Sequence, residues 1–246
     1  MKNISIEFKE LTKSYEFGKF DTKHFFKNIL KKNSEVLNAL DNVSLKVYSG
    51  EKVAIIGDNG AGKSTLLKII SKITYPTKGY VCVNGRVSSL LEAGVGFHTE
   101  LNGIENIYLS GSILGMTRKE IDKQLNNIIE FSEFSKKQLS TPVKRYSTGE
   151  IIKLAISVVM YLDAEIIILD EIIAVVDKKF REKCMQKILE FLKDKKKTLL
   201  FVSHQLDIVK NLCERSILIE NGKIILDDKT EKVINFYTTR NKNLLK

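Results

Sequence analysis

Short apolar runs alternate with helical patterns along this chain. Ile4 to Phe8, Val43 to Tyr48, Lys52 to Ile56, Tyr80 to Val83, Ile166 to Leu169, Thr198 to Val202 and Arg215 to Ile219 each read as a strand. Strands interleaved with helices predict an α/β sheet with helices on its faces. Asn84-Gly85 and Asn221-Gly222 stand between strand-like runs. Both residues tolerate the positive φ that a tight hairpin needs, so each pair predicts a hairpin at a sheet edge. From Asn102 to Ser135 strand character gives way to the helical spacing of "NGIENIYLSGSIL" and "TRKEIDKQLNNIIEF". Thr117 and Glu120 have the spacing of a capping box, which closes the start of a helix with two reciprocal hydrogen bonds. This region predicts a helical lobe inserted in the sheet domain. Residues 16–38 form a basic, aromatic insertion between the first two strands, and "EKVINFYTTRNKNLLK" reads as a fraying terminal helix. No internal repeat is visible.

One motif in this frame carries chemistry. "GDNGAGKST", Gly57 to Thr65, matches GxxxxGK[ST] between the apolar strand "KVAII" and the helical run "STLLKIISKI". Glycines 57, 60 and 62 let the backbone curl so that its amides point inward at a phosphate, reinforced by the positive end of the helix. Asn59 and Thr65 complete the loop, Lys63 reaches the β and γ phosphates, and the Ser64 hydroxyl is a ligand for Mg²⁺. Such a loop needs an acidic strand end nearby. "IIILDE" delivers Asp170 to the edge of the sheet beside the Mg²⁺ position, with Glu171 next to it to polarise a water.

Strand, phosphate loop, helical lobe, "YSTGE" at Tyr146 to Glu150, "ILDE" and His204 in "LLFVSH" occur in an order that resembles the nucleotide-binding domain of an ABC transporter, over essentially the whole chain. The resemblance implies a P-loop NTPase (ABC ATPase) core with a mixed sheet, an antiparallel β subdomain and an inserted helical lobe at about 96–160. It implies that Ser147 and Gly149 contact the γ phosphate of ATP held by an opposite subunit, and that His204 contacts the γ phosphate within the chain. Asp177 in "AVVD" resembles the aspartate of the dimer-crossing loop. Tyr15 resembles the aromatic that stacks on adenine, a role open also to Phe17 or Phe20. The family usually reads LSGGQ; this chain has Tyr146, Thr148 and Glu150 instead. Glu150 brings negative charge toward the phosphates unless it points away or Lys153 offsets it. The family's glutamine near Mg²⁺ has no counterpart between Val87 and Asn106, leaving His98 or Glu92 as substitutes. Val176 stands where glycine is usual, which stiffens the loop before Asp177.

The middle segment "VNGRVSSLLEAGVGFHTELNGIENIYLSGSILGMTRKEI" is similar to the ATPase subunits that export lipid-linked polysaccharides such as O-antigen, capsule or teichoic acid. That similarity implies a homodimer in the ATP-bound state beneath integral-membrane permease subunits, with the lipid-linked glycan as the transported substrate. The whole of 1–246 is then expected to be one nucleotide-binding domain with a tail from about 229 to 246 and no carbohydrate-binding domain.

Composition changes this picture little. With 43% hydrophobic content in 246 residues the chain can bury a sizeable core. Its apolar runs fall short of the roughly 20 residues that cross a bilayer, and "MKNISIEFKE" lacks the features of a signal peptide. The expected place is therefore peripheral, on the cytoplasmic face of the cell membrane. Cys82, Cys184 and Cys213 lie far apart and form neither a disulfide framework nor a zinc site. A net charge of +10 admits nucleic acid, a membrane surface or an acidic ligand. Nucleic-acid-acting ABC proteins usually need paired ATPase domains or long coiled coils, so no nucleic-acid partner is expected. Lys27 and His24 in the insertion suit an anionic leaflet, and a solvated face explains them as well.

Overall fold

The computed structural model describes residues 3–17, 35–170, 176–203 and 205–244. Its strands in chain order are β1 (Ile4–Phe17), β2 (Glu35–Tyr48), β3 (Lys52–Ile56), β4 (Lys78–Val83), β5 (Val87–Ser89), β6 (Ile166–Leu169), β7 (Thr198–Val202), β8 (Arg215–Glu220) and β9 (Lys223–Lys229). They form two sheets. One is antiparallel with the order β2-β1-β4; the other has the order β5-β6-β7-β3-β8-β9, parallel from β5 through β8 and antiparallel at β9. The helices are α1 (Lys63–Ile70), α2 (Gly103–Ile113), α3 (Arg118–Ser132), α4 (Lys136–Leu139), α5 (Thr148–Val159), α6 (Lys178–Phe191), α7 (Leu206–Leu212) and α8 (Thr230–Leu244).

Strand alternation assigns the two faces of the large sheet. Val53, Ile55, Ile166, Ile168, Leu200 and Val202 face one buried cluster with α1, β1 and β2, while Ala54, Ile56, Leu169, Leu199 and Phe201 face another with α6 and α8. Both faces are covered, which is why β3, β6 and β7 read as nearly unbroken apolar runs. Leu66, Leu67, Ile69 and Ile70 of α1 are fully buried. At about 2 kcal/mol each, that burial holds an eight-residue helix that is marginal alone in water. Cys184 and Cys213 belong to the core, and burial pushes both thiols up to about 12.

Between Gly103 and Val159 a separate cluster forms around Ile107, Ile121, Ile128, Leu139, Leu154 and Val158. All four helices here open with a capping box: Asn102 with Glu105, Thr117 with Glu120, Ser135 with Gln138, and Ser147 with Glu150. Glu133 ends α3 in the left-handed conformation, φ 61°, and its carboxylate meets Lys153 of α5 at 2.7 Å and Lys183 of α6 at 3.5 Å. Chiefly the Lys153 hydrogen bond holds the Glu133 carboxyl below its ordinary range. This ion cluster joins the helices to the large sheet's cover.

The two Asn-Gly pairs behave differently. Asn221 and Gly222 have φ of 47° and 75° and close the β8–β9 hairpin, with β9 at the sheet edge. Asn84-Gly85 makes no hairpin: β4 belongs to the small sheet and β5 to the large one. Of that pair only Gly85 has positive φ, 120°, while Asn84 donates from its backbone to Ser5 and from its side chain to Ile4. The Asn84 bonds hold the chain against β1 at the point where it crosses between sheets. β5 itself, three residues long, escaped the sequence pattern, and β1 and β2 run well beyond their apolar runs.

Candidate functional site

The phosphate-loop sequence lies between β3 and α1, at the carboxyl edge of the parallel strands, where open α/β sheets place their ligands. Gly62 caps α1 at φ 108° with no side-chain hydrogen bond to the first-turn amides. A Cβ there would stand 2.3 Å from the Ala39 carbonyl oxygen, and one on Gly57, φ 152°, would stand 2.1 Å from that of Ile219. Only glycine allows the loop to nest this tightly against β2 and β8. The Lys63 ammonium is buried and donates to the carbonyls of Gly57 at 2.6 Å and Asp58 at 2.8 Å. Loop amides, helix dipole and a folded-back lysine together make a cradle for an anion.

A cavity of about 470 Å³ opens over this cradle. Asn59, Gly60, Gly62, Lys63, Ser64 and Thr65 line it from the loop. Asp170 reaches it from the end of β6, and Tyr15 from β1. The sequence pattern gave no site role to its other walls, Leu37 to Ala39 and Val202, and marked Asn221 only as a hairpin residue. Leu37 arrives because it pairs with Tyr15 across β1 and β2. Asn221 arrives because the amide of Gly222 donates to Ala61 of the loop, a placement its hairpin signal hinted at. Ser64 and Asp170 give this cavity hard oxygen donors of the kind Mg²⁺ takes alongside phosphate oxygens. Among the described residues no group of three or more His, Cys, Asp or Glu gathers as an all-protein metal cage.

The remaining expected residues are elsewhere. Glu171, His204 and Phe20 lie outside the described residues, as do the insertion residues His24 and Lys27 and the side chain of Phe17. Ser147 and Gly149 sit at the start of α5 rather than in the cavity, and an added Cβ on Gly149 would meet nothing within 4 Å. Asp177 caps α6 by accepting from the Phe180 amide at 2.9 Å, next to buried Val176. Glu150 points back along its helix: its carboxylate accepts from the Ser147 amide at 2.8 Å and hydroxyl at 2.9 Å. The bond from the Ser147 amide is the main reason its carboxyl is held below the ordinary range. Lys153 does not offset it, being paired with Glu133. Glu92 closes the short turn Leu90–Glu92 that follows β5, the strand paired with β6, and burial raises its carboxyl. His98 is tied through its backbone to Asn106 of α2 instead.

Comparison with known proteins fits this geometry. The family model described as ABC transporter matches residues 40–174. An O-antigen export system ATP-binding protein RfbB of Klebsiella pneumoniae is 45% identical over 81% of this chain and 80% of its own length. The chain belongs to the ABC transporter family. ABC transporter protein AbcA of Aeromonas salmonicida is 40% identical over 84% of this chain and 67% of its own. Among solved structures, the ATP-binding cassette MJ0796, in a dimeric post-hydrolysis state bound to ADP and Pi, superposes with a TM-score of 0.71 at 24% identity, over 92% of this chain and 98% of that one. The fold is accordingly that of an ABC ATPase. Among the described residues no helix is long and apolar enough to cross a membrane.

Proposed function

We propose that this chain is the ATP-hydrolysing subunit of an exporter of a lipid-linked polysaccharide, such as an O-antigen, capsule or teichoic acid. The observation that carries the reading is the cavity in which Lys63 and Ser64 of the phosphate loop face Asp170. The naming of relatives 45% identical as O-antigen export proteins supports the substrate class. ATP enters with its phosphates on the loop amides and its adenine against Tyr15. Lys63 leaves the Gly57 and Asp58 carbonyls for the β and γ phosphates. Mg²⁺, held by Ser64 and Asp170, would neutralise charge on those phosphates. Glu171 orients the water that attacks the γ phosphorus as the bond to the β phosphate breaks, and His204 steadies the γ oxygens. Glu92, rather than His98, takes the place of the missing glutamine, because it lies in the turn that follows β5, the strand paired with the one that leads into Asp170.

The second half of each site comes from a second copy. Ser147 and Gly149 close on the γ phosphate across a homodimer, Asp177 lies at the crossing, and the helical segment bears on membrane permease subunits from the cytoplasmic side. Disrupting the gene in its native cell tests this: surface polysaccharide is expected to vanish while the lipid-linked precursor accumulates inside. Unchanged surface polysaccharide would remove the assigned cargo.

Glu150 sets how tightly the dimer closes. Its carboxylate stands one hydrogen bond from the Ser147 hydroxyl, so it repels the γ phosphate that Ser147 is to contact. Glu150→Gln keeps the capping oxygen and removes the charge. The variant is expected to dimerise at about fivefold lower ATP concentration, the effect of one partly screened unit charge, as read by light scattering across an ATP titration.

A further inference from the structure

The C-terminal helix grips the nucleotide site from outside. α8 is anchored by Val233 and Ile234, both buried, and from there two side chains bond residues that adjoin the cavity lining in sequence. The Tyr237 hydroxyl donates to Oδ1 of Asp58 at 2.7 Å, and Arg240 pairs with Glu220 at 3.2 Å. Asp58 is the second residue of the phosphate loop, and its carbonyl is one of the two that hold Lys63. Glu220 immediately precedes the cavity-lining Asn221.

The carboxylate of Asp58 is an awkward group for this position. It is exposed, carries a negative charge, and belongs to the loop whose other features all attract phosphate. A carboxylate free to rotate inward would stand beside the polyphosphate and oppose it. We propose that Tyr237 is a positioning residue for nucleotide binding: its hydroxyl fixes the Asp58 carboxylate away from the phosphate cradle, so that the C-terminal helix sets the affinity of the loop. A neutral phenol suits this task. It restrains the carboxylate without placing a cation that would compete with Lys63 for the phosphates. The proposal rests on reading the cavity as an ATP site, and it adds a dependence of that site on a residue 179 positions away.

The test is a double-mutant cycle on the full chain, with Tyr237→Phe, Asp58→Asn and the pair, using a fluorescent ATP analogue with Mg²⁺ and steady-state hydrolysis. Tyr237→Phe is expected to weaken analogue binding and raise the KM for ATP about threefold to tenfold, the range for loss of one hydrogen bond, with kcat and the melting temperature near those of the parent. The double variant is expected to bind as tightly as Asp58→Asn alone, because with the Asp58 charge gone the Tyr237–Asp58 bond no longer holds a carboxylate off the phosphates. The weakening in Tyr237→Phe is also expected to shrink as salt is raised, since it is a charge repulsion at an exposed site. Equal binding by Tyr237→Phe and the parent overturns the proposal. So does a double variant as weak as Tyr237→Phe, since the hydroxyl would then act on something other than the carboxylate. A parent protein that fails to bind the analogue overturns the ATP-site reading itself, and with it this one.

Discussion

Lys63→Ala is expected to lower kcat/KM for ATP hydrolysis by about a hundredfold to a thousandfold, the usual cost of removing one preorganised charge from a phosphate-stabilising site. The structure makes the lysine specific to this role. The residue is 7% exposed, and its ammonium donates to the carbonyls of Gly57 and Asp58 at 2.6 and 2.8 Å, within the loop itself. Alanine is a good helix former at the first position of α1 and leaves the apolar contacts of Leu66, Leu67, Ile69 and Ile70 in place. The loss is therefore expected in nucleotide affinity and turnover, with a circular-dichroism melt close to that of the parent. Phosphate release checks the rate, and fluorescent-analogue binding checks the affinity. Hydrolysis within threefold of the parent would take Lys63 out of the site.

The second large effect is on assembly. Ser147→Arg, made in a Glu171→Gln background chosen to slow hydrolysis if Glu171 acts as proposed, is expected to abolish the ATP-driven dimer: light scattering should give a single 28.0 kDa chain where the Glu171→Gln protein doubles in mass. Ser147 is outside the cavity, so each variant chain should still bind ATP on its own phosphate loop. What arginine removes is the hydroxyl at the start of α5 and the open approach that Gly149 leaves there, replacing both with a long side chain. Arginine also breaks a helix cap, at a cost of about 1 kcal/mol, which a domain of this size tolerates. A variant that still dimerises with ATP would show that "YSTGE" is a helix start and nothing more. If Glu171→Gln itself stays monomeric while binding ATP, the permease is needed to hold the pair, and the comparison moves to the assembled complex.

"YSTGE" shows where sequence and structure divide the work. Read as a motif, it departs from the family's usual form at three positions, and Glu150 brings negative charge toward the phosphates unless it points away or Lys153 offsets it. In the structure Ser147 and Glu150 make the fourth of four capping boxes in a row, each opening a helix between Gly103 and Val159. The S-x-x-E spacing was there to be read. What it did not contain was whether Lys153 answers that charge, because Glu133, 20 residues before Lys153, takes the lysine.

By itself the sequence determined whatever is set within a few residues. The phosphate loop is nine consecutive residues between a strand and a helix, so its chemistry could be stated from spacing alone. The buried strands β3, β6 and β7 were legible to the residue because both of their faces are covered and apolar runs result. The tertiary structure alone decided which distant residues meet. Asn84-Gly85 and Asn221-Gly222 are identical dipeptides, yet only the second closes a hairpin, since hydrogen bonds from Asn84 to Ile4 and Ser5 carry the first across to another sheet. Leu37 joins the cavity through its register with Tyr15, and Tyr237 reaches Asp58 because α8 packs where Val233 and Ile234 can be buried. Strand register and helix docking are fixed by packing summed over the whole core, and that sum is not written in any local stretch of the chain.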